Sequence, residues 1–260
     1  MVSRQTTPIG APSCHWREHD VDGVRVAART WVTDPPRPEP IVAVHGLVVS
    51  SAYMAPLADR LSDHRDVWAP DLPGFGASDK PDHVLDVREL GRALAGWIDA
   101  AGLRDVVLLG NSFGCQIVAE TTLQRPDLVS RMVLLGPTMQ PRLRSVPKQL
   151  RRWRKEQKTQ SARLKALQVR DYAKAGIPRA ITTFRHALHD RIEDKLPLLE
   201  QPTLVVRGTD DPIVEQDWVE TVVGLLPDAE LAVLPGATHA INHEQPAQTA
   251  RAVGRFLHTR

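Results

Sequence analysis

The sequence predicts an α/β fold, a doubly wound, mostly parallel sheet interrupted by one helical insertion. Three observations carry this. Short, continuous apolar runs such as IVAVH (41–45), VVLLG (106–110) and TLVVRG (203–208) have the composition of strands buried on both faces, the mark of a parallel sheet. Stretches with apolar residues at helical spacing stand between them, and such alternation packs helices on both sides of one sheet. Right-handed crossovers then line up the C-terminal ends of the strands along one edge.

Taken in order, residues 14–20 and 24–32 flank Asp22-Gly23, the turn of a hairpin. The proline-rich stretch 34–40 is a loop, because proline lacks the amide donor a helix or central strand needs. Strand 41–45 leads to a helix over 52–63, a strand over 66–70 and a helix over 86–101 with Leu90, Leu94, Trp97 and Ile98 on one side. Strand 106–110, helix 113–125 and strand 131–135 follow. After an interruption the rhythm resumes with strand 203–208, helix 215–226, strand 230–234 and helix 245–257. The interruption has no strand pattern. It reads as a helix from Lys148 to Tyr172 and another opening at Pro178, with Ile181, Phe184 and Leu188 on one face. The domain reading is a core of 1–136 and 199–260 carrying a helical insertion, 137–198.

Composition bounds the function. With 42% apolar and 25% charged residues the chain has a globular composition, neither disordered nor collagen-like. No run of 18 apolar residues is present, so no transmembrane span is expected. The N-terminal MVSRQTTPIGAPSCHW has no apolar signal core, and Cys14 and Cys115 lack metal-ligand spacing; free thiols in a cytoplasmic protein are expected. Net charge is +2, but residues 141–174 hold twelve Lys and Arg against Glu156 and Asp171. This basic stretch has two readings: a solvated helix face with Leu150, Trp153, Leu164 and Leu167 turned inward, or an attractor for an acidic small-molecule substrate. Nucleic acid is not expected, since no recognition motif or aromatic-interleaved platform accompanies the charge.

Gly110-Asn111-Ser112-Phe113-Gly114 fits G-x-S-x-G, and it stands directly after the strand VVLLG and before a helix. A turn that tight leaves no room for a Cβ at the flanking glycines. Ser112 is thereby a candidate nucleophile. A serine hydroxyl needs a base to take its proton, and in this setting the acid precedes the histidine in the chain. Two aspartates, Asp210 and Asp211, stand just past TLVVRG. His239 stands beyond the following strand, with His243 four residues later as a rival. The oxyanion requires backbone N–H donors, and Phe113 and Leu47 are the candidates. His45 reads as a structural hydrogen-bonding residue. Trp153, Ile181, Phe184 and Leu188 are candidate walls of the substrate pocket. No metal or organic cofactor is called for.

With these residues assembled, the chain resembles the α/β-hydrolase superfamily, in particular its small serine enzymes with a helical cap. The resemblance rests on His45-Gly46-Leu47, Asp71-Leu72-Pro73-Gly74-Phe75-Gly76-Ala77-Ser78-Asp79, Gly110–Gly114, Gly208-Thr209-Asp210-Asp211-Pro212 and Gly236-Ala237-Thr238-His239, in order over about 200 residues. It implies Asp211, three places after Gly208, as the acid, His239 as the base and 137–198 as the cap. It also implies hydrolysis of a carboxylic ester, lactone or thioester through an acyl-enzyme. Members with an aspartate nucleophile are disfavoured by Ser112. Hydrolases that cleave carbon–carbon bonds of ring-fission products share the Gly-Asn-Ser elbow, but they typically have Gly where Cys115 stands and often Trp where Ala240 stands. A non-catalytic small-molecule binder on the same fold is the remaining alternative.

Overall fold

Along the strand Val106–Asn111, Val106 and Leu108 enter one buried apolar cluster while Val107 and Leu109 enter another. This two-residue alternation lets one sheet serve two cores. The computed structural model describes residues 13–259; the sequence reading of 1–12 lies outside the described residues.

The strands are β1 (His15–Val21), β2 (Val24–Trp31), β3 (Ile41–Val44), β4 (Val67–Pro70), β5 (Val106–Asn111), β6 (Val129–Leu135), β7 (Thr203–Gly208) and β8 (Ala229–Leu234). They form one sheet in the order β1-β2-β4-β3-β5-β6-β7-β8. The β1–β2 hairpin is antiparallel and β2 pairs antiparallel with β4, whereas all pairings from β4 to β8 are parallel. Helices α1 (Ser51–Leu61) and α10 (Pro246–Thr259) cover one face, and α2 (Val87–Ala100), α3 (Phe113–Gln124) and α8 (Gln216–Leu225) cover the other. Asp86 and Glu89 close a reciprocal capping box that starts α2.

The chain steps outward from β3 to β4, then returns to lay β5 on the other side of β3. The crevice between the C-terminal ends of β3 and β5 is therefore the switch point of the sheet, where open α/β sheets hold their ligands.

Between β6 and β7 lie α4 (Val146–Thr159), α5 (Ala162–Ala175), α6 (Ile177–His189) and α7 (Ile192–Lys195). The single helix expected over 148–172 is two. Gln160 is extended, with ψ 143°, and the Ser161 hydroxyl accepts the Leu164 N–H at 3.2 Å to open α5. A short helix, α9 (Ile241–Glu244), follows the His239 loop and was not expected.

Polar contacts seat these helices. Ser50 Oγ donates to Asp171 of α5 at 2.6 Å, and Ser161 Oγ donates to Glu244 of α9 at 2.8 Å. Arg152 of α4 pairs with Glu215 and donates to the Pro212 carbonyl at 2.9 Å.

Candidate active site

Ser112 sits at φ 56° and ψ −118°, a conformation that costs a non-glycine residue about 1–3 kcal/mol. The surroundings enforce it. The Ser112 N–H donates to Leu135 O at 2.9 Å, and its carbonyl accepts Cys115 N–H at 3.0 Å. A Cβ on Gly110 would lie 2.6 Å from the Gly114 carbonyl, and one on Gly114 would lie 2.6 Å from Val44 O. Both glycines are thus demanded by the closeness of β3, β5 and α3, and the turn thrusts Ser112 out at the sheet edge. Cys115, buried behind it, directs its thiol at Gly110 O, and burial pushes that thiol far above its ordinary range. It belongs to the packing of the elbow.

Asp211 and His239 meet across the ends of β7 and β8, Oδ2 to Nδ1, at 2.8 Å. The other Asp211 oxygen accepts the N–H groups of Ile213 and Val214 at 2.7 and 2.9 Å, which leaves Oδ2 aimed at the ring. With Nδ1–H donated to the carboxylate, Nε2 is the basic nitrogen of the neutral ring. Burial opposes a charge on His239. The Asp211 carboxylate, by its charge and its hydrogen bond, and Glu156 beyond it outweigh burial and raise His239 above its ordinary 6.5. The Asp210 carboxylate is exposed and accepts the Thr209 hydroxyl at 3.0 Å, and His243 stacks on Tyr53 with ring centroids 6.0 Å apart. The structure pairs neither of them with the other's partner.

Ser112 and His239 open into one cavity of about 590 Å³, which Leu47 and Phe113 also line. Among the described residues, the N–H groups of Leu47 and Phe113 meet no protein acceptor. The loop that carries Leu47 abuts the nucleophile: a Cβ on Gly46 would lie 3.6 Å from Ser112 Cβ. His45 anchors this loop, its Nε2 accepting Leu72 N–H at 3.1 Å and its Nδ1 donating to Gly46 O at 2.9 Å. Burial holds its ring below the ordinary histidine range, as that neutral, structural tautomer requires. Asp71 does comparable work, accepting Ser51 N–H at 2.6 Å and Ala77 N–H at 2.5 Å. The Asp71–Asp79 motif is scaffolding beneath the loop.

Of the expected pocket walls, Trp153, Ile181 and Phe184 line the cavity. Leu188 does not: it is buried in the apolar cluster with Ile192 and Leu196, and Ala187 takes the place at the wall. The cavity carries Gln149, Gln160, Gln168 and Tyr172 but no Lys or Arg among its described lining residues. The cations of 141–174 turn outward or pair with acids, Arg142 and Arg152 with Glu215 and Arg144 with Glu193. The positive charge of that stretch thus lies outside the described lining of the cavity.

Sequence reasoning missed Glu156. It is 2% exposed and lines the cavity from α4, and it accepts the N–H groups of His239 and Ala240 at 3.4 and 3.3 Å. Burial pushes its carboxyl above the ordinary range, and Asp211 adds to the effect. The available signal was a lone acid in a basic run, seven residues after Gln149 and four before Gln160, on one face of a helix.

A profile of the alpha/beta hydrolase family matches residues 41–252. The chain is 26% identical over 268 residues to the uncharacterized hydrolase YugF of Bacillus subtilis (strain 168), covering 93% of this chain and 97% of that one. It is 27% identical over 244 residues to a 2-hydroxy-6-oxo-2,4-heptadienoate hydrolase of Pseudomonas putida, covering 84% and 88%. A thermophilic esterase from Thermogutta terrifontis superposes with a TM-score of 0.79 at 20% identity, covering 94% of this chain and 98% of that one, a likeness of fold. Sheet order, elbow and profile agree: the chain belongs to the alpha/beta hydrolase family.

Proposed function

We propose that the protein is a serine hydrolase of uncharged carboxylic esters, working through an acyl-enzyme under a cap formed by 137–198. The observation that carries this reading is the 2.8 Å Asp211–His239 bond facing the same cavity as the strained Ser112. His239 Nε2 accepts the Ser112 Oγ proton as Oγ attacks the substrate carbonyl. The oxyanion that forms is met by the Leu47 and Phe113 N–H groups. His239 then gives its proton to the departing alkoxide, and Asp211 holds the ring in its tautomer and stabilises its charge throughout. Water, deprotonated by the same nitrogen, releases the acid and returns Ser112.

The character of the cavity supports an uncharged substrate. Its walls are mainly apolar, and its described lining residues include no Lys or Arg and one acid, Glu156. A carboxylate entering it would be desolvated beside another carboxylate with no cation to pair, which is unfavourable. Similarity to the heptadienoate hydrolase favours a second reading, cleavage of a carbon–carbon bond. Its substrate, a carboxylate, is what this lining lacks a partner for.

A panel of soluble aryl esters, lactones and thioesters, run beside a vinylogous 1,5-diketone acid, tests the reading. Ester turnover lost in Ser112→Ala is expected. Faster turnover of the diketone acid than of any ester would replace it with the second reading.

A further inference from the structure

The mouth of the cavity is apolar and open to solvent. Val146, Leu150 and Trp153 of α4 and Ile181 of α6 all line it, yet they are 51%, 40%, 40% and 49% exposed. On α4 the three recur at i, i+4 and i+7, so they form one stripe along the helix. Arg151, Arg154, Lys155 and Lys158 run at the same spacing along the adjoining side. They are exposed, and among the described residues none of the four forms an ion pair. Six other arginines, Arg25, Arg65, Arg125, Arg142, Arg144 and Arg191, each meet an acid. Helix α4 therefore couples an exposed apolar stripe containing a Trp to a row of unmatched positive charge, at the entrance to the catalytic cavity.

We propose that this face docks on an anionic lipid surface, with the α4 stripe seated at the headgroup–acyl boundary and the cavity mouth opening onto the lipid. The charge complementarity selects this occupant: a basic, Trp-bearing apolar helix face is suited to an interface that is apolar within and negative at its surface. Tryptophan prefers that boundary because its ring is apolar and its N–H is wet. No helix among the described residues is long and apolar enough to cross a membrane, so the contact is peripheral. Docking itself does not depend on the ester reading; only the corollary, that acyl substrate enters from the lipid, rests on it.

The test is co-sedimentation of the full chain with phosphatidylcholine vesicles and with phosphatidylcholine–phosphatidylglycerol vesicles, at low and raised salt. Binding to the mixed vesicles, weakened by salt, is expected. Each cation near an anionic membrane is worth about fivefold in partition, so Arg151→Glu/Arg154→Glu lowers it by about 25-fold or more. That double variant keeps wild-type turnover of a water-soluble ester, which separates docking from catalysis and shows that it folds. Leu150→Asp lowers vesicle binding as well, with folding checked by circular dichroism. The proposal is overturned if neither vesicle binds, or if the Arg variant binds as the wild type does. It is overturned too if the protein binds soluble heparin but no vesicle, or if size-exclusion shows a dimer lost in Leu150→Asp without vesicle binding.

Discussion

Gly136→Ala is the substitution whose effect the structure states most fully. Gly136 follows β6 at φ +55°, its N–H donating to Val206 O at 2.8 Å. An alanine Cβ there would stand 3.1 Å from both Nδ1 and Cε1 of His239 and 3.4 Å from Asp211 Oδ2. The backbone alone costs about 1–2 kcal/mol, since a side chain is disfavoured in the left-handed region. For a chain of this size that lowers Tm by roughly 2–8 °C. The imidazole must also give by a few tenths of an ångström. It cannot do so freely, because Asp211 is itself held by the Ile213 and Val214 N–H groups. A displacement of 1 Å at a reacting group costs about 10²-fold, so a few tenths should cost about three- to tenfold in kcat. The control is Gly23→Ala, also at positive φ (+79°) but with nothing within 4 Å of the added Cβ. Melting curves and kcat on a soluble aryl ester separate the two effects. Both variants should lose stability and only Gly136→Ala should lose kcat. Equal, unimpaired kcat in the two would refute the claim that this glycine makes room for the Asp211–His239 pair.

Further outcomes follow from the same geometry. A base works only when neutral, so kcat/KM should rise with pH through an apparent pKa above 6.5, His239 being raised by Asp211. Glu156→Gln, which removes a second negative charge beside His239, should move that rising limb to lower pH; an unmoved limb in a pH–rate profile would count against the assignment. Leu188→Ala should cost about 2–5 kcal/mol in urea titration, as a buried apolar deletion, and leave KM near wild type. Ile181→Ala, half exposed at the cavity, should do the reverse, changing KM for bulky esters with little loss of stability.

These two residues also mark how far the sequence was legible. The strands could be read because the sheet is buried on both faces: IVAV, VVLLG and TLVVRG have no polar side to blur them. The elbow could be read because Gly110 and Gly114 leave a visible spacing wherever three elements close on one serine. Ile181, Phe184 and Leu188 share a helix face by periodicity, yet where that face is directed changes along α6. Its last turn points into the cluster of Ile192 and Leu196, a contact decided by tertiary packing. The break between α4 and α5 was hidden because Trp153 and Leu164 stand 11 residues apart, about three helical turns, and so fit one face of a single helix, and a lone serine is a weak cap signal. Glu156 and the basic stretch were opaque for a related reason. Their partners, the His239 loop, Glu215 and Glu193, lie far along the chain, so local charge counting sees a solvated run where the fold makes pairs.

The proposed chemistry rests on Ser112 as the nucleophile. Reaction of the protein with an activated fluorophosphonate, followed by peptide mass spectrometry, tests it most directly. A single adduct is expected on the peptide carrying Ser112, blocked by prior incubation with an ester substrate and absent in Ser112→Ala, with activity falling in step with labelling. An adduct elsewhere, or undiminished ester turnover in Ser112→Ala, would contradict it.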